Sequence, residues 1–594
     1  MFYSLQYYPL TLWTEKPRDS GCTDYQLKNH TGEPNKKDQN HGFDEALPHD
    51  SLITRGTKRG TKPKLLICVT LYNEPYSQIC ESLAGLFRCY YELVNYDDSY
   101  LNRVQVVIVA DGYDRLDKDT LVRLEKAGIY DAFRSNKYKE ARLTEDRKDY
   151  KIVFKELQFI NKDVMNADMR MYGTYNVGHW FSRTMHFLEF LNGLDNAERK
   201  NFRINNYDIS DFLLGSSKTG EAVKKEFYHL PMPIHLLIKH RNLGKIDSHK
   251  WFFKGFCKYM DPDFSQILDW GSIPLWNSIS YLIKHMEKFK NIGGCSGEIE
   301  VIIPEKNPET NESYTFFQEM LLRSQYVEYK VSHYLDKAME SSFGFVSVLP
   351  GAFSTFRWEC IRGEPLTQFL KGAKDEFAEQ IIIPSCSVAN KNLAEDRIMC
   401  LEIVIQKNTN WIISYIPSAK CLTDPPISLT GLLKQRRRWF NGSLFATFSV
   451  TAGLWKVLRR SGNWCRKLGY LVLYLYILII TGLSFVLVGL FYATFSIFVR
   501  ATLPASDNPN IFRVANVLEN AYLLFLFLVT MLSTAVRIEW AEFGFRLASL
   551  FMGMLTVIMV AWSIAYAYNE STKGVEGGMP LIAFWILLHS PYYV

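Results

Sequence analysis

Three long runs without a single Asp, Glu, Lys or Arg govern what this chain can fold into: Leu468 to Val499, Asn520 to Val536 and Leu547 to Asn569. A backbone can cross hydrocarbon only where it satisfies its own hydrogen bonds, and about 20 apolar residues make a helix of the required length. Each run is therefore predicted to be a transmembrane helix, within a membrane region covering 468–594. A fourth uncharged run, Gly577 to Val594, reads as a partial span or one lying partly in the interface. The average of 47% hydrophobic residues over 594 looks ordinary for a soluble protein, and it conceals this division.

Charge then orients the segments. Lys456, Arg459, Arg460, Arg466 and Lys467 precede the first run, and Arg537 and Arg546 lie between the second and third. Cations crowd the cytosolic ends of membrane helices, so both segments are expected inside and the loop from Arg500 to Glu519 outside. Met1 to Leu10 lacks a basic segment followed by an apolar one, so no signal peptide is read there and the hydrophilic part is expected in the cytosol. The eleven cysteines include no CxxC pair, and neither disulfides nor a zinc site are expected in a reducing compartment. Residues 444–462 alternate apolar and small side chains before the basic group, and read as an interfacial amphipathic helix.

Upstream, Arg18 to Lys62 is rich in polar and charged residues with few apolar ones, and 1–62 is read as a disordered or variable tail. A folded domain is expected over 63–443. Leu65-Leu66-Ile67-Cys68-Val69-Thr70 and Val104-Gln105-Val106-Val107-Ile108-Val109-Ala110 are short apolar runs separated by a helix-length segment. That pattern predicts a βαβ unit in a parallel sheet covered on both faces. Ligands of such α/β sheets bind at the carboxyl ends of the strands. The polar residues there are Tyr72, Asn73 and Glu74 after the first strand, and Asp111 and Gly112 after the second. Either acid could meet a nucleoside or simply cap a turn. The charged stretch at about 131–228 carries no readable motif and is taken as an insertion covering the sheet.

Gln435-Arg436-Arg437-Arg438-Trp439 admits two uses by itself. It could orient the first membrane helix, or it could bind a polyanion at the guanidinium groups and a flat ring on the indole. Its company favours the second. In order along the chain stand Lys239-His240-Arg241-Asn242-Leu243-Gly244-Lys245-Ile246-Asp247-Ser248-His249, Asp269-Trp270-Gly271-Ser272, Gly297-Glu298-Ile299 and Gln325-Tyr326-Val327-Glu328-Tyr329-Lys330. Val348-Leu349-Pro350-Gly351-Ala352-Phe353, Leu393-Ala394-Glu395-Asp396-Arg397 and Thr423-Asp424-Pro425-Pro426 follow.

This ordered set resembles the chitin synthases, processive inverting family 2 glycosyltransferases. The resemblance implies an α/β fold: a cytosolic GT-A-type (Rossmann-like) glycosyltransferase domain followed by C-terminal transmembrane helices. The activity it implies is transfer of N-acetylglucosamine from UDP-GlcNAc to a growing β-1,4-linked chitin chain, coupled to export. Asp396, flanked by Glu395 and Arg397, matches the family's general base. Asp269 matches its metal-binding aspartate, with Mg²⁺ or Mn²⁺ expected. Thr70, Tyr72, Glu74, Asp111, Lys239, Asn242, Lys245 and His249 match the donor site. Gln435, Arg436, Arg437, Arg438 and Trp439, with the Gly351-Ala352-Phe353 loop, match the acceptor and diphosphate site. Three positions depart from the pattern: Asp247 stands where Asn is expected, Trp270 where a small or aliphatic residue is common, and Ser272 where Thr is usual. The implied setting is the plasma membrane or a secretory vesicle, with the lipid bilayer as partner, a homodimer as one way to complete a channel, and no nucleic acid. The rivals are a related β-polysaccharide synthase using another UDP-sugar, and a non-catalytic membrane scaffold that keeps the fold.

Overall fold

Leu65–Leu71 (β2) and Val104–Ala110 (β3) form adjacent parallel strands, with the helix Tyr76–Tyr96 between them in sequence. Both strands are apolar almost throughout because both faces of the sheet are covered. In this computed structural model the described residues are 6–9, 62–130, 132, 178–201, 203–204, 207–208, 230–303, 313–372, 394–502 and 509–572, without 114, 240–241, 243, 407–408, 459–463 and 536. Most of the expected tail (1–62), apart from the strand at Gln6–Pro9 and residue 62, most of the expected insertion (131–228) and the partial span (577–594) lie outside the described residues.

The remaining strands are Gln6–Pro9 (β1), Gly178–Met185 (β4), Arg203–Ile204 (β5), Tyr207–Asp208 (β6), Met232–Lys239 (β7), Phe264–Asp269 (β8), Ile273–Pro274 (β9), Ile292–Val301 (β10), Phe353–Arg357 (β11) and Ile412–Thr423 (β12). Strands β5 and β6 pair with each other, and the others form one sheet in the order β1-β4-β7-β3-β2-β8-β11-β10-β12-β9. Its centre, β7-β3-β2-β8, is parallel. Antiparallel strands flank that centre on both sides, with β4 against β7 and β11 against β8. The sheet is thus mixed, where the sequence predicted a parallel one. The apolar runs report burial on two faces, and burial alone does not fix the direction of the neighbouring strand.

The chain divides into two compact units. The first comprises Met1–Glu300, Lys337–Asp424 and Ala452–Asn463; the second comprises Val301–Asp336, Pro425–Thr451 and Trp464–Val594. Among the described residues of the second unit, three helices are long and apolar enough to cross a membrane, over Arg466–Leu483, Phe512–Ser533 and Glu542–Trp562. The first uncharged run is not one helix. It breaks at Val486 into Trp464–Phe485 and the shorter apolar Leu487–Thr502. As a single helix the run would be about 48 Å long, well beyond the roughly 30 Å hydrocarbon core. Phe495 and Val499 of the shorter helix pack with Ala515, Tyr522 and Leu526 of Pro509–Ala535 and with Met559 of Glu542–Thr572. The expected interfacial helix over 444–462 is likewise not separate. Its residues through Leu458 continue the 30-residue helix Leu429–Leu458, which also carries the arginine cluster.

Candidate active site

In the first unit the carboxyl ends of the parallel strands gather most of the residues singled out from the sequence. Thr70 at the end of β2 lies beside Asp269 at the end of β8 in the parallel register. Asp111 follows β3, and Gly112 takes a φ of 102°, a left-handed turn that glycine adopts without strain. That turn lets Tyr113 donate its backbone N–H to the Lys239 carbonyl at 2.7 Å, which ties the end of β3 to the end of β7.

Lys239 is buried between two acids. Its ammonium is 2.8 Å from Asp111 Oδ1 and 2.7 Å from Asp247 Oδ2, and all three side chains are at most 8% exposed. The sequence suggested that Lys239 lines the donor site as an anion binder. The structure commits its charge to two aspartates, one of them the Asp247 that departs from the family pattern. Lys245 is placed differently. It follows Gly244, whose φ is 95°, opens the helix Lys245–Lys250, and sets its Nζ 2.6 Å from Asp269 Oδ1 and 2.7 Å from Oδ2.

Asp396 lies in the first turn of the helix Glu395–Ile405 and accepts the Gly351 backbone N–H at 2.9 Å. A side chain on Gly351 would start 3.1 Å from both Asp396 Oδ2 and Lys245 Nζ, so any other residue would press on those two groups. Desolvation and the charge of Glu395 push the Asp396 carboxyl from 3.8 up to about 7, against the opposing pull of Lys245 and the Gly351 N–H. For Lys245 burial works against the ammonium, but Asp269, Asp396 and Glu395 outweigh it and hold its pKa above the usual lysine value. Burial likewise lowers the Arg397 pKa, opposed first by Glu340, whose carboxylate accepts the Ser347 N–H at 2.8 Å. Arg397 thus shares a charge network with Glu340 and Asp396.

The other candidates divide between the ligand side and the scaffold. Tyr72 is 43% exposed and free to meet a flat ring. Glu74 Oε2 accepts the backbone N–H groups of Tyr72 and Asn73 at 2.7 and 3.0 Å, so this acid shapes the loop. Asn242 is exposed and caps the turn by accepting the Gly244 N–H. His249 is fully buried, its ring stacked on Phe369 at 5.7 Å, and burial drives its pKa well below the usual histidine value. It is a neutral core side chain and not an anion contact. Phe353 is also fully buried, and Gly351 and Ala352 reach the site through backbone groups, with Ala352 O accepting the Asp269 N–H at 3.3 Å.

The second unit carries the arginine cluster. Arg436 donates from Nη2 to Glu328 Oε2 at 2.6 Å and lies over the Trp439 ring at 4.5 Å, and Trp439 contacts Tyr329 at 6.3 Å between ring centroids. Glu328 and Tyr329 belong to the helix Phe316–Val331. The buried Gln325 of that helix donates to Pro426 O at 2.9 Å, just before the cluster's own helix. Arg437, Arg438 and Trp439 are exposed, while Gln435 is half-buried. Glu328 was legible only as part of a motif; its pairing with Arg436 spans 108 positions and left no local signal.

The fold family implies a divalent ion at Asp269. Among the described residues no three His, Cys, Asp or Glu side chains gather to hold one, and both Asp269 oxygens already meet the Lys245 ammonium. One carboxylate so engaged does not make a protein-only metal site.

A parallel-centred α/β core with acids and a lysine at its strand ends, in a chain that also carries membrane-length apolar helices, has the fold class of a glycosyltransferase followed by apolar helices. The chain belongs to the chitin synthase-like glycosyltransferases: the family's domain matches residues 65–150 and 208–453. It is 30% identical over 472 residues to chitin synthase 1 of Phytophthora sojae, covering 76% of this chain and 43% of that protein. With chitin synthase 1 of Saccharomyces cerevisiae the identity is 35% over 305 residues, 51% of this chain and 26% of that one. The matches thus span less than half the length of these relatives. A solved mannosyltransferase of Pyrobaculum calidifontis, in complex with GDP-Man and Mn²⁺, aligns over 68% of this chain and 70% of its own at a TM-score of 0.30 and 11% identity. A likeness that slight carries no argument.

Proposed function

We propose that this chain is an inverting, processive synthase that moves N-acetylglucosamine from UDP-GlcNAc onto a growing β-1,4-linked chitin chain. The observation that carries the reading is Asp396, held by the Gly351 N–H at the strand ends with its pKa raised to about 7. An attacking hydroxyl needs a base to take its proton, and a base is most effective when its pKa lies near the working pH. Asp396 takes that proton while the hydroxyl attacks the anomeric carbon opposite the leaving UDP, and inversion follows from the single displacement. Tyr72 lies against the uracil, and Asp111, fixed by Lys239, accepts a hydrogen bond from the nucleoside.

Leaving-group charge grows as the bond breaks, and cations must meet it. In the first unit Lys245 is suited to that role; the resemblance assigns the arginine cluster to the acceptor and diphosphate, with Arg437 and Arg438 exposed and Arg436 holding the Trp439 indole. The resemblance assigns Mg²⁺ or Mn²⁺ to Asp269; such an ion would need further oxygens, which a diphosphate offers. The membrane-length helices serve export of the polymer, with the catalytic unit on the cytosolic side of the plasma membrane or a vesicle.

The test is purified protein given radiolabelled UDP-GlcNAc, with UDP-glucose and GDP-mannose in parallel. Insoluble, chitinase-sensitive product from UDP-GlcNAc alone is expected. Product from another sugar nucleotide would replace the substrate assignment, and no transfer from any of them would leave a binding scaffold.

A further inference from the structure

Alternate backbone N–H groups of the segment leading to the candidate base end on side chains. Ser347 donates to Glu340 Oε2 at 2.8 Å, Leu349 to Cys400 Sγ at 3.2 Å, and Gly351 to Asp396 Oδ2 at 2.9 Å. Residues 347–350 belong to no strand, so these side chains do for the segment what a neighbouring strand does within the sheet. Beyond Gly351 the chain is fixed differently, because β11 pairs with β8 from Phe353 to Arg357. The place of the Gly351 N–H is therefore set by the sheet on one side and by Glu340 and Cys400 on the other.

Both anchors are buried, Glu340 at 7% exposed and Cys400 at 0%. A buried N–H that loses its acceptor is costly until the backbone moves to another partner, and such a move would carry Gly351 with it. Cys400 follows Asp396 by one turn of the helix Glu395–Ile405, so thiol and carboxylate share a face and grip the same segment. Glu340 comes from a separate helix, Ala338–Ser342, and its charge also offsets that of Arg397 beside the base. We infer that Glu340 and Cys400 are positioning residues for the transfer step: they anchor the Ser347–Gly351 segment so that its last N–H holds Asp396 in line with the attacking hydroxyl. This rests on Asp396 being the base proposed above. Both act through the backbone, so loosening either one slows the chemistry and leaves donor binding alone.

The experiment is the initial rate of sugar transfer from UDP-GlcNAc by the full chain in detergent, expressed per UDP-binding site counted by calorimetry. A merely structural loss lowers the number of sites; a displaced base lowers the rate at each. Glu340→Ala should lower kcat per site by about tenfold, since a small misplacement of a catalytic group costs that much or more, with KM for UDP-GlcNAc near wild type. Glu340→Gln keeps an oxygen for the Ser347 N–H without the charge, and should recover most of the rate. Cys400→Ala should slow transfer in the same way by a smaller factor, and Cys400→Ser should restore it. A wild-type rate per site in Glu340→Ala overturns the inference, as does a rise in KM in place of the fall in kcat. Glu340→Gln as slow as Glu340→Ala overturns it too, because charge and not anchoring would then be what matters. Should Glu340→Ala not fold, the neutral Cys400→Ala decides, and an unchanged rate per site there overturns the anchoring role. Asp396→Asn separates the two readings: if it keeps wild-type turnover the base assignment fails and the inference with it, whereas its loss beside unaffected Glu340→Ala and Cys400→Ala sinks the inference alone.

Discussion

The two units handle their cations in opposite ways. In the first, Lys239 is sealed between Asp111 and Asp247, and Lys245 bridges the oxygens of Asp269. In the second, a carboxylate braces Arg436 of the triple arginine, while Arg437 and Arg438 are exposed. Burying a charge in water-poor surroundings is costly unless it is paired at close range, so the buried Lys239 fixes geometry first, and the half-buried Lys245 is paired as closely. An exposed guanidinium is already solvated and gains from a ligand's phosphate without breaking a protein contact. A basic motif is therefore not uniformly a set of anion binders; depth in the fold decides which of its cations are available.

The largest test of the first unit is Asp396→Asn, which keeps shape and removes the base. Transfer should fall by about 10²–10⁴-fold while UDP binding, measured by calorimetry, stays close to wild type. Unchanged turnover would remove Asp396 from the role. The wild-type pH profile tests the same group. Its carboxyl is protonated below about 7, so kcat/KM should fall about tenfold per unit as pH drops beneath that value. The stability sign is the reverse of an ordinary salt-bridged aspartate. With the folded value raised above 3.8, its contribution to folding is fully present below 3.8 and is lost as pH rises through about 7.

Next in size is the contrast between Lys239→Ala and Asp247→Asn. Removing the lysine leaves two buried carboxylates without a counter-charge, a loss of about 3–5 kcal/mol. Removing one acid leaves Lys239 paired with Asp111, and stability should change far less. Denaturant titration of the two variants measures the difference, and equal losses would show that the lysine's charge is not what the aspartates need.

Much of this was legible in the sequence, and what was hidden has physical reasons. Strands β2 and β3 announced themselves because burial on both faces leaves a continuous apolar run. Asp111, Asp269 and Asp396 were legible through motifs, and strand ends are where side chains meet ligands. Strand β12 gave no such signal. Pro417 interrupts it, and proline cannot donate to a central ladder. The proline is tolerated because β9 pairs only with Cys421 and Leu422, leaving Pro417 exposed beyond it. The partners of Lys239, Lys245 and Arg436 were hidden for another reason: each pair is closed by tertiary packing, and a side chain's depth is not written in its neighbours along the chain. The same limit applied to His249 and Phe353, whose motifs suggested ligand contacts and whose packing puts them in the core.

Glu328→Gln examines the braced arginine of the second unit. Arg436 and Glu328 are 24% and 34% exposed, so screening is substantial and the variant should lose only about 1 kcal/mol. Desolvation raises the Glu328 pKa and outweighs the opposing pull of Arg436, so the pair is not strongly held. The loss should shrink at high salt, as expected of a partly exposed pair. A loss as large as that of Lys239→Ala would erase the distinction between the two units.

The smallest effect is expected one residue before the cluster. Lys434 Nζ lies 2.6 Å from Glu539 Oε1, a shorter contact than either lysine–aspartate pair around Lys239, yet both side chains are 52% exposed. If distance governed the strength of these pairs, Lys434→Ala would rank with the buried ones. If depth governs, water and salt already compensate both ends, and holding two long side chains together offsets most of what attraction remains. Lys434→Ala should then leave the melting temperature in detergent unchanged within error, with no dependence on added salt. A clear drop in that variant would mean that short surface contacts fix the helix Leu429–Leu458 as firmly as burial fixes the strand ends, and the argument from depth would have to be abandoned for both units.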